Sequence, residues 1–326
     1  MEPQTHIAER LSDAQGEVRA AALADLLQPG ADPSPHLERV GACVSDPSES
    51  LRLAALPVLG RIGAPATSYL AVALDPRQPD NIRATAAAVI AGIGPPAVIA
   101  VRGLCRCLTS PDPTLRDAAA VALAKIGEPA VPSLRLMLQF SAPETVSAAV
   151  GALAFIGPAA AATAPELEAL AARSPQALRL ACAAALARVT GDPRRGLPVL
   201  IKALGSHDSQ VRKVAAEKIS ELREAAHPAL PDLLRCTTDP DGEVRAAAVL
   251  TLGRIRAPHS DTVPHIIARL NDPVAEVRYS SIIVLASYGA EARSALPALR
   301  ACLDDPAEKV AKCAQGAMER IESPKP

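Results

Sequence analysis

The sequence predicts an all-α fold, an α-α superhelix in which about ten helical hairpins stack as a right-handed solenoid. Three observations predict it. The 326 residues are 49% hydrophobic but only 2% aromatic: Tyr69, Tyr279, Tyr288, Phe140 and Phe155, with no Trp. A chain of this length wrapped round one deep core would need large aromatic and branched side chains to fill it. The 31 prolines are spread through alanine-rich segments, which points to many short helices, each begun or stopped by a proline. Finally, two marks recur at a nearly constant interval, the signature of a repeat array.

The first mark is an apolar residue followed by arginine, at Val18-Arg19, Leu51-Arg52, Ile82-Arg83, Leu115-Arg116, Leu178-Arg179, Val211-Arg212, Val244-Arg245 and Val277-Arg278. Val146-Ser147 and Val310-Ala311 keep the apolar residue alone. The second is a comb of prolines at 132, 165, 198, 231, 264 and 297, spaced by 33 residues. Ten repeats follow, at about 1–30, 33–63, 64–94, 95–127, 128–157, 158–190, 191–223, 224–256, 257–289 and 290–323, forming one solenoid over 1–326. The Lys- and Glu-rich end, Lys309 to Glu322, fits a terminal cap.

Each repeat reads as two helices. In the ninth, Val263 to Leu270 forms the first, with Pro264 in its opening turn where no N–H is needed. Asn271-Asp272-Pro273 breaks it, with Asp272 as cap of the next helix. The second helix runs from about Val274 to Tyr288 and stops at Gly289. Asp-Pro recurs at 46–47, 75–76, 239–240, 272–273 and 305–306, and Ile-Gly at 62–63, 93–94, 126–127 and 156–157. With the apolar residue before arginine counted as zero, positions zero, four, seven, eight and eleven share one stripe. In the eighth repeat these are Val244, Ala248, Thr251, Leu252 and Ile255. One hairpin cannot cover such a stripe; stacked neighbours can. The shorter connection from Arg116 to Pro132, with Ser147 in place of arginine, predicts altered curvature around 127–165.

Lys+Arg 34 against Asp+Glu 35 gives a net charge of -1, which argues against a chain built to neutralise nucleic-acid phosphates. No apolar run is expected to reach the ~18 to 20 residues that span a bilayer, and Met-Glu-Pro-Gln-Thr-His lacks a secretory signal's pattern. Seven scattered cysteines suit reduced thiols. Together these predict a cytoplasmic protein with no membrane partner.

The pattern Leu-Pro-x-Leu-x-x-x-Leu, then Asp-Pro-x-x-x-Val-Arg-x-x-Ala-Ala-x-x-Leu-Gly-x-Ile, resembles HEAT repeats over residues 5–322, in the short variety of bacterial HEAT-like and bilin-lyase-like (PBS lyase HEAT-like) proteins. The ankyrin motif Thr-Pro-Leu-His-x-Ala is absent, and tetratricopeptide repeats require Trp. The resemblance implies a ladder between adjacent repeats made by a turn Asp and the second-helix Arg. Its six-residue spacing holds at Asp13/Arg19, Asp46/Arg52, Asp239/Arg245 and Asp272/Arg278, and is broken at Arg77, Ser110, Ser141, Arg173 and Ser206. A structural role for this arginine row is preferred to a stripe for an anionic ligand.

No catalytic constellation emerges. Deoxyhypusine hydroxylase resembles this architecture and binds iron through His-Glu pairs, but none of the six histidines here precedes Glu. Cys105 and Cys107 would point to different helix faces, with no second pair at zinc spacing. Phosphate loops, Gly-x-Ser-x-Gly and His-Glu-x-x-His are missing. We therefore expect no catalytic residues, no metal and no cofactor; a bilin-lyase-like accessory enzyme is the alternative.

The expected function is a non-catalytic scaffold or adaptor that binds another protein or peptide on the concave face. Positions two, five, six and nine of the second helices would line that face, with Leu53, Phe155, Leu180, Lys213 and Tyr279 as candidate contacts; simple helix-favouring alanine is the competing reading. Residues 173–218 carry nine basic side chains and three acidic ones. Arg188, Arg194, Arg195, Lys202 and Arg212 are candidates for an anion- or nucleic-acid-binding patch, although few aromatics are at hand to stack bases.

Overall fold

A computed structural model describes residues 3–140 and 142–322, so the ladder position Ser141 lies outside the described residues. Among the described residues every regular element is helical. The chain divides into two compact units, Met1–Glu166 and Leu167–Pro326. The segment in which the sequence predicts altered curvature ends at this division.

In the first unit the hairpins are α1 (Pro3–Leu11) with α2 (Gly16–Asp25), α3 (Leu37–Ala42) with α4 (Glu49–Ile62), α5 (Thr67–Ala73) with α6 (Asp80–Ile93), α7 (Val101–Cys107) with α8 (Pro113–Ile126), and α9 (Val131–Phe140) with α10 (Pro143–Ile156). The division falls in the first turn of α11 (Ala164–Arg173). The second unit continues with α12 (Gln176–Thr190), then α13 (Leu197–Ala203) with α14 (Ser209–Ser220), α15 (Leu230–Cys236) with α16 (Gly242–Arg254), α17 (His259–Ile267) with α18 (Ala275–Tyr288), and α19 (Leu296–Ala301) with α20 (Glu308–Glu322).

Successive second helices pack side by side, α2 to α10 in the first unit and α12 to α20 in the second. Their contact stripe is small by necessity. Position four is fully buried at Ala22, Ala55, Ala86, Ala119, Cys182, Ala215, Ala248 and Ala314, because a larger side chain there would push neighbouring helices apart. The predicted stripe Val244, Ala248, Thr251, Leu252 and Ile255 is buried throughout. The Thr251 hydroxyl is satisfied by the carbonyls of Ala247 at 2.7 Å and Ala216 at 2.9 Å.

The turns follow their sequence signals with one correction. Gly63, Gly94, Gly127, Gly157 and Gly289 end second helices with positive φ, a conformation that costs glycine nothing. Arg223 and Arg256 occupy the same region, at φ 54° and 50°, without that freedom. Asp112, Asp208 and Asp241 each accept a hydrogen bond from the backbone N–H two residues on, the expected cap. Asp272 does not cap directly, because α18 starts at Ala275 with Val274 before it. Its carboxylate accepts the Val274 N–H at 3.0 Å and is otherwise turned to the preceding repeat.

The expectation that no apolar run reaches membrane-spanning length is also corrected. Residues 143–173 hold an 18-residue stretch that is apolar enough by composition, with a mean hydropathy of 1.7, and half of that stretch is buried. They are divided between α10 (14 residues) and α11 (10 residues), separated at Gly157 with φ 70°. Each is shorter than the ~20 residues a spanning helix needs.

Candidate partner interface

The arginine row makes its contacts within the protein, and their geometry differs from the expected six-residue pairing. In six of the eight arginines, all but Arg83 and Arg179, Nη1 donates to the carbonyl six residues before it, as Arg19 does to Asp13 at 2.7 Å, Arg212 to Ser206 at 2.9 Å and Arg245 to Asp239 at 2.8 Å. That contact needs no Asp side chain, so Ser206 does not break it. The other edge of the guanidinium reaches the Asp of the next repeat, 27 residues on. Arg212 binds Asp239 through Nε and Nη2 at 2.7 Å each, Arg245 binds Asp272 at 2.8 and 2.7 Å, and Arg278 binds Asp305 at 2.6 and 2.7 Å. These are bidentate fork pairs. Spacing within one repeat does not reveal the ladder pairs Arg212–Asp239 and Arg278–Asp305, which join one repeat to the next.

Among the described residues of the first unit only Arg19 finds such a carboxylate, Asp46 at 2.8 Å. Arg52 takes the carbonyls of Asp46 and Pro47, and its buried Nε has no partner among the described residues. Arg83, 8% exposed, binds Asp80 and the Cys107 sulfur and leaves Nε likewise unpaired. Arg116 is held by the carbonyls of Ser110 and Pro111.

In the basic patch the same principle holds: acids from outside the 173–218 window meet several of its bases. Arg212 is a ladder arginine, Arg195 pairs with Glu168, Lys213 with Glu243 and Lys218 with Glu221, while Arg194 folds back onto Asp192. Arg188 donates to the Glu221 carbonyl at 3.4 Å. Lys202 is exposed. Most of these charges thus have partners within the protein.

Among the candidate contacts, Leu180 is corrected as well. It is 1% exposed and shares a core with Ala183, Ala184, Leu197 and Leu200. Helix α12 is apolar on almost every side, so burial extends to position two while Leu178 is only half-buried. Leu53 is half-buried too. Tyr279 is half-buried, with the Lys309 ammonium 5.2 Å from its ring centre.

Phe155 is different. It is 66% exposed and stands at one end of a groove of about 540 Å³ between α8 and α10. The groove is lined by Arg116, Asp117, Ala120, Val121, Glu144, Ser147, Ala148, Gly151, Ala152 and Phe155. Apart from Arg116, Glu144 and Ser147, these are positions two, five, six and nine of the two helices. The equivalent face of the second unit has a groove of about 690 Å³ whose lining includes Lys213, Glu217, Glu243, Arg254 and Glu276. Its charges close on one another: Lys213 donates to Glu243 at 2.6 Å, which raises the lysine's pKa, and Lys309 pairs with Glu276. A third groove, about 850 Å³, runs along α9 beside the 61%-exposed Leu136 and the Arg135–Glu166 ion pair.

The thiols show no sign of activation. Burial pushes Cys182 up to about 12 and Cys105 up to about 11, the opposite of a reactive thiolate. Among the described residues no three His, Cys, Asp or Glu side chains gather as a metal site.

Comparison with known proteins agrees with this architecture. The sequence profile of HEAT repeats matches residues 67–154, 101–187, 163–253 and 230–319. No curated protein matches the chain. Kap121p, solved bound to Nup53p, is similar in structure with a TM-score of 0.53 at 14% identity, over 98% of this chain and 41% of Kap121p. An engineered protein aligns over 99% of this chain and all of its own at 21% identity, with a TM-score of 0.41. The chain thus spans about two-fifths of Kap121p but the whole of the engineered protein. Continuous matches across 67–319, together with hairpins stacked on a small-residue stripe, show that this chain belongs to the HEAT-repeat family.

Proposed function

We propose that the protein is a non-catalytic interaction scaffold or adaptor that receives a protein or peptide on the second-helix face of its first unit. The observation that carries this reading is the α8–α10 groove, where Phe155 and the 48%-exposed Val121 leave apolar surface open beside small residues. Clustered exposed apolar surface on an otherwise well-buried fold marks partner sites more often than chance. Kap121p, which shares the fold, was solved with Nup53p bound, and a protein partner is the natural counterpart here. Seven free cysteines suit the cytoplasm as the place of action. The anion-binding reading gains no support, since most of its arginines are engaged internally.

The test is quantitative affinity capture of partners by the wild-type chain, by Phe155→Asp in the first unit and by Lys213→Glu in the second. Loss of the captured set with Phe155→Asp alone is expected. Capture unchanged by Phe155→Asp would overturn the assignment to this face, and a bound tetrapyrrole seen by absorbance would favour the lyase-type alternative.

A further inference from the structure

Resting on the scaffold reading, we propose that the α8–α10 groove receives an extended partner segment that joins a large apolar side chain to a Lys or Arg four or five residues away. The first ground is Gly151. It sits in mid-helix without positive φ, and a Cβ built there meets no atom within 4 Å. Gly60 and Gly253 differ: their added Cβ atoms would meet Val89 at 2.9 Å and Val284 at 3.0 Å, so their own neighbours demand glycine. Gly92 and Gly316 are as open as Gly151 but line none of the grooves above. Nothing among the described residues requires Gly151, whereas a guest approaching the helix backbone would. Ala120, Ala148 and Ala152 keep the surrounding floor low, and Val121 and Phe155 supply exposed apolar contact.

The second ground is charge. Asp117 and Glu144 lie toward the opposite end of the groove, both exposed and neither in an ion pair among the described residues. Arg116, the one cation in the lining, has Nη1 occupied by the Ser110 and Pro111 carbonyls. Two acids against one cation leave the lining net negative, which a cation from outside would complement. From Glu144 to Phe155 the helix rises about 16 Å at 1.5 Å per residue, which about five extended residues span. In the second unit's groove the same demand is already met by Lys213 and Lys309, so the guest chemistry is particular to the first unit.

The probe is an immobilised set of unstructured peptides holding Leu and Lys or Arg four to five residues apart. Matched sets carry Gln or Glu in place of the basic residue, and all are titrated with the full chain. Peptides with the basic residue should bind about tenfold more tightly than the Gln set, and both Gly151→Leu and the Asp117→Lys/Glu144→Lys pair should erase that advantage. Gly151→Leu places its Cβ in open space, so circular dichroism and the melting temperature should show an intact fold. Equal binding of the Gln or Glu sets, or binding untouched by either variant, overturns the proposal. Binding lost on Lys213→Glu instead would move the site to the second unit and leave the scaffold reading standing. If no peptide set binds while captured partners still depend on Phe155, the scaffold survives and the guest chemistry falls.

Discussion

The two units share a repeat but resolve its charges in opposite ways. In the second, Arg212, Arg245 and Arg278 each hold the Asp of the following repeat, and the second-helix face is closed by lysine–glutamate pairs. In the first, among the described residues, Arg52 and Arg83 leave a buried Nε without an acceptor, and the groove between α8 and α10 presents acids outside any ion pair beside exposed apolar side chains. The second unit answers three of its ladder arginines with carboxylates from within, although Arg269 also keeps a buried Nε unpaired among the described residues; the first answers one, and an unmet demand on a surface is where a partner contributes most. The difference lies in a few turn residues. Ser110 stands where the second unit would place Asp, and the turn before Arg83 carries Arg77.

Breaking the complete ladder should have the largest effect. Asp272→Ala strands Arg245, itself 8% exposed, and removing one partner of a buried pair costs about 3 to 5 kcal/mol; denaturant unfolding would measure it. Protonation should act in the same direction. Burial opposes the charge of Asp272, but hydrogen bonds from Arg245 and the Val274 N–H outweigh it, so its pKa lies below the ordinary 3.8. Arg278 likewise lowers Asp305. Carboxyls whose folded pKa is depressed contribute stability above the ordinary value that is lost as pH falls through the folded one. Acid unfolding below about pH 4 should accordingly be less steep in Asp272→Asn than in the wild type.

Completing the broken ladder is the converse test. Ser110→Asp should offer Arg83 the missing carboxylate and raise stability by about 1 kcal/mol, the net scale of a hydrogen bond to a charged group less the cost of burying it. A fall in melting temperature would show that Arg83 is settled by Asp80 and Cys107 alone. Arg256→Gly should stabilise the second unit by up to about 1 kcal/mol by relieving a left-handed residue without Cβ freedom. Its exposed contact with Glu224, 3.3 Å, is worth little at that surface. Gly151→Ala is the smallest change. It should stabilise α10 by about 0.5 to 1 kcal/mol, and a stability gain accompanied by weaker partner binding would separate the helix's own preference from the guest's.

How much was legible depends on the distance over which each feature is decided. The buried stripe from Val244 to Ile255 was readable because a 3.6-residue period places those side chains on one face whatever lies opposite. The exposure of Phe155 at position nine followed from the same wheel. Leu180 was misread because the wheel assumes one buried side, whereas α12 is apolar almost all round and its neighbours cover position two. The basic patch was misread because a window of sequence counts only its own acids; Glu168, Glu221, Asp239 and Glu243 come from beyond it. Gly151 carried no signal, since only coordinates tell a glycine demanded by a neighbour from one facing open space.

By itself, then, the chain's order of residues determined the period, the hairpins and the small-residue seam, all consequences of local backbone geometry repeated many times. Which arginine meets which carboxylate, which leucine is covered and where a groove opens were decided only when one repeat was laid on the next. Those outcomes hinge on partners about 27 to 33 residues away, and electrostatic pairing and burial belong to the contact between side chains, not to either one alone.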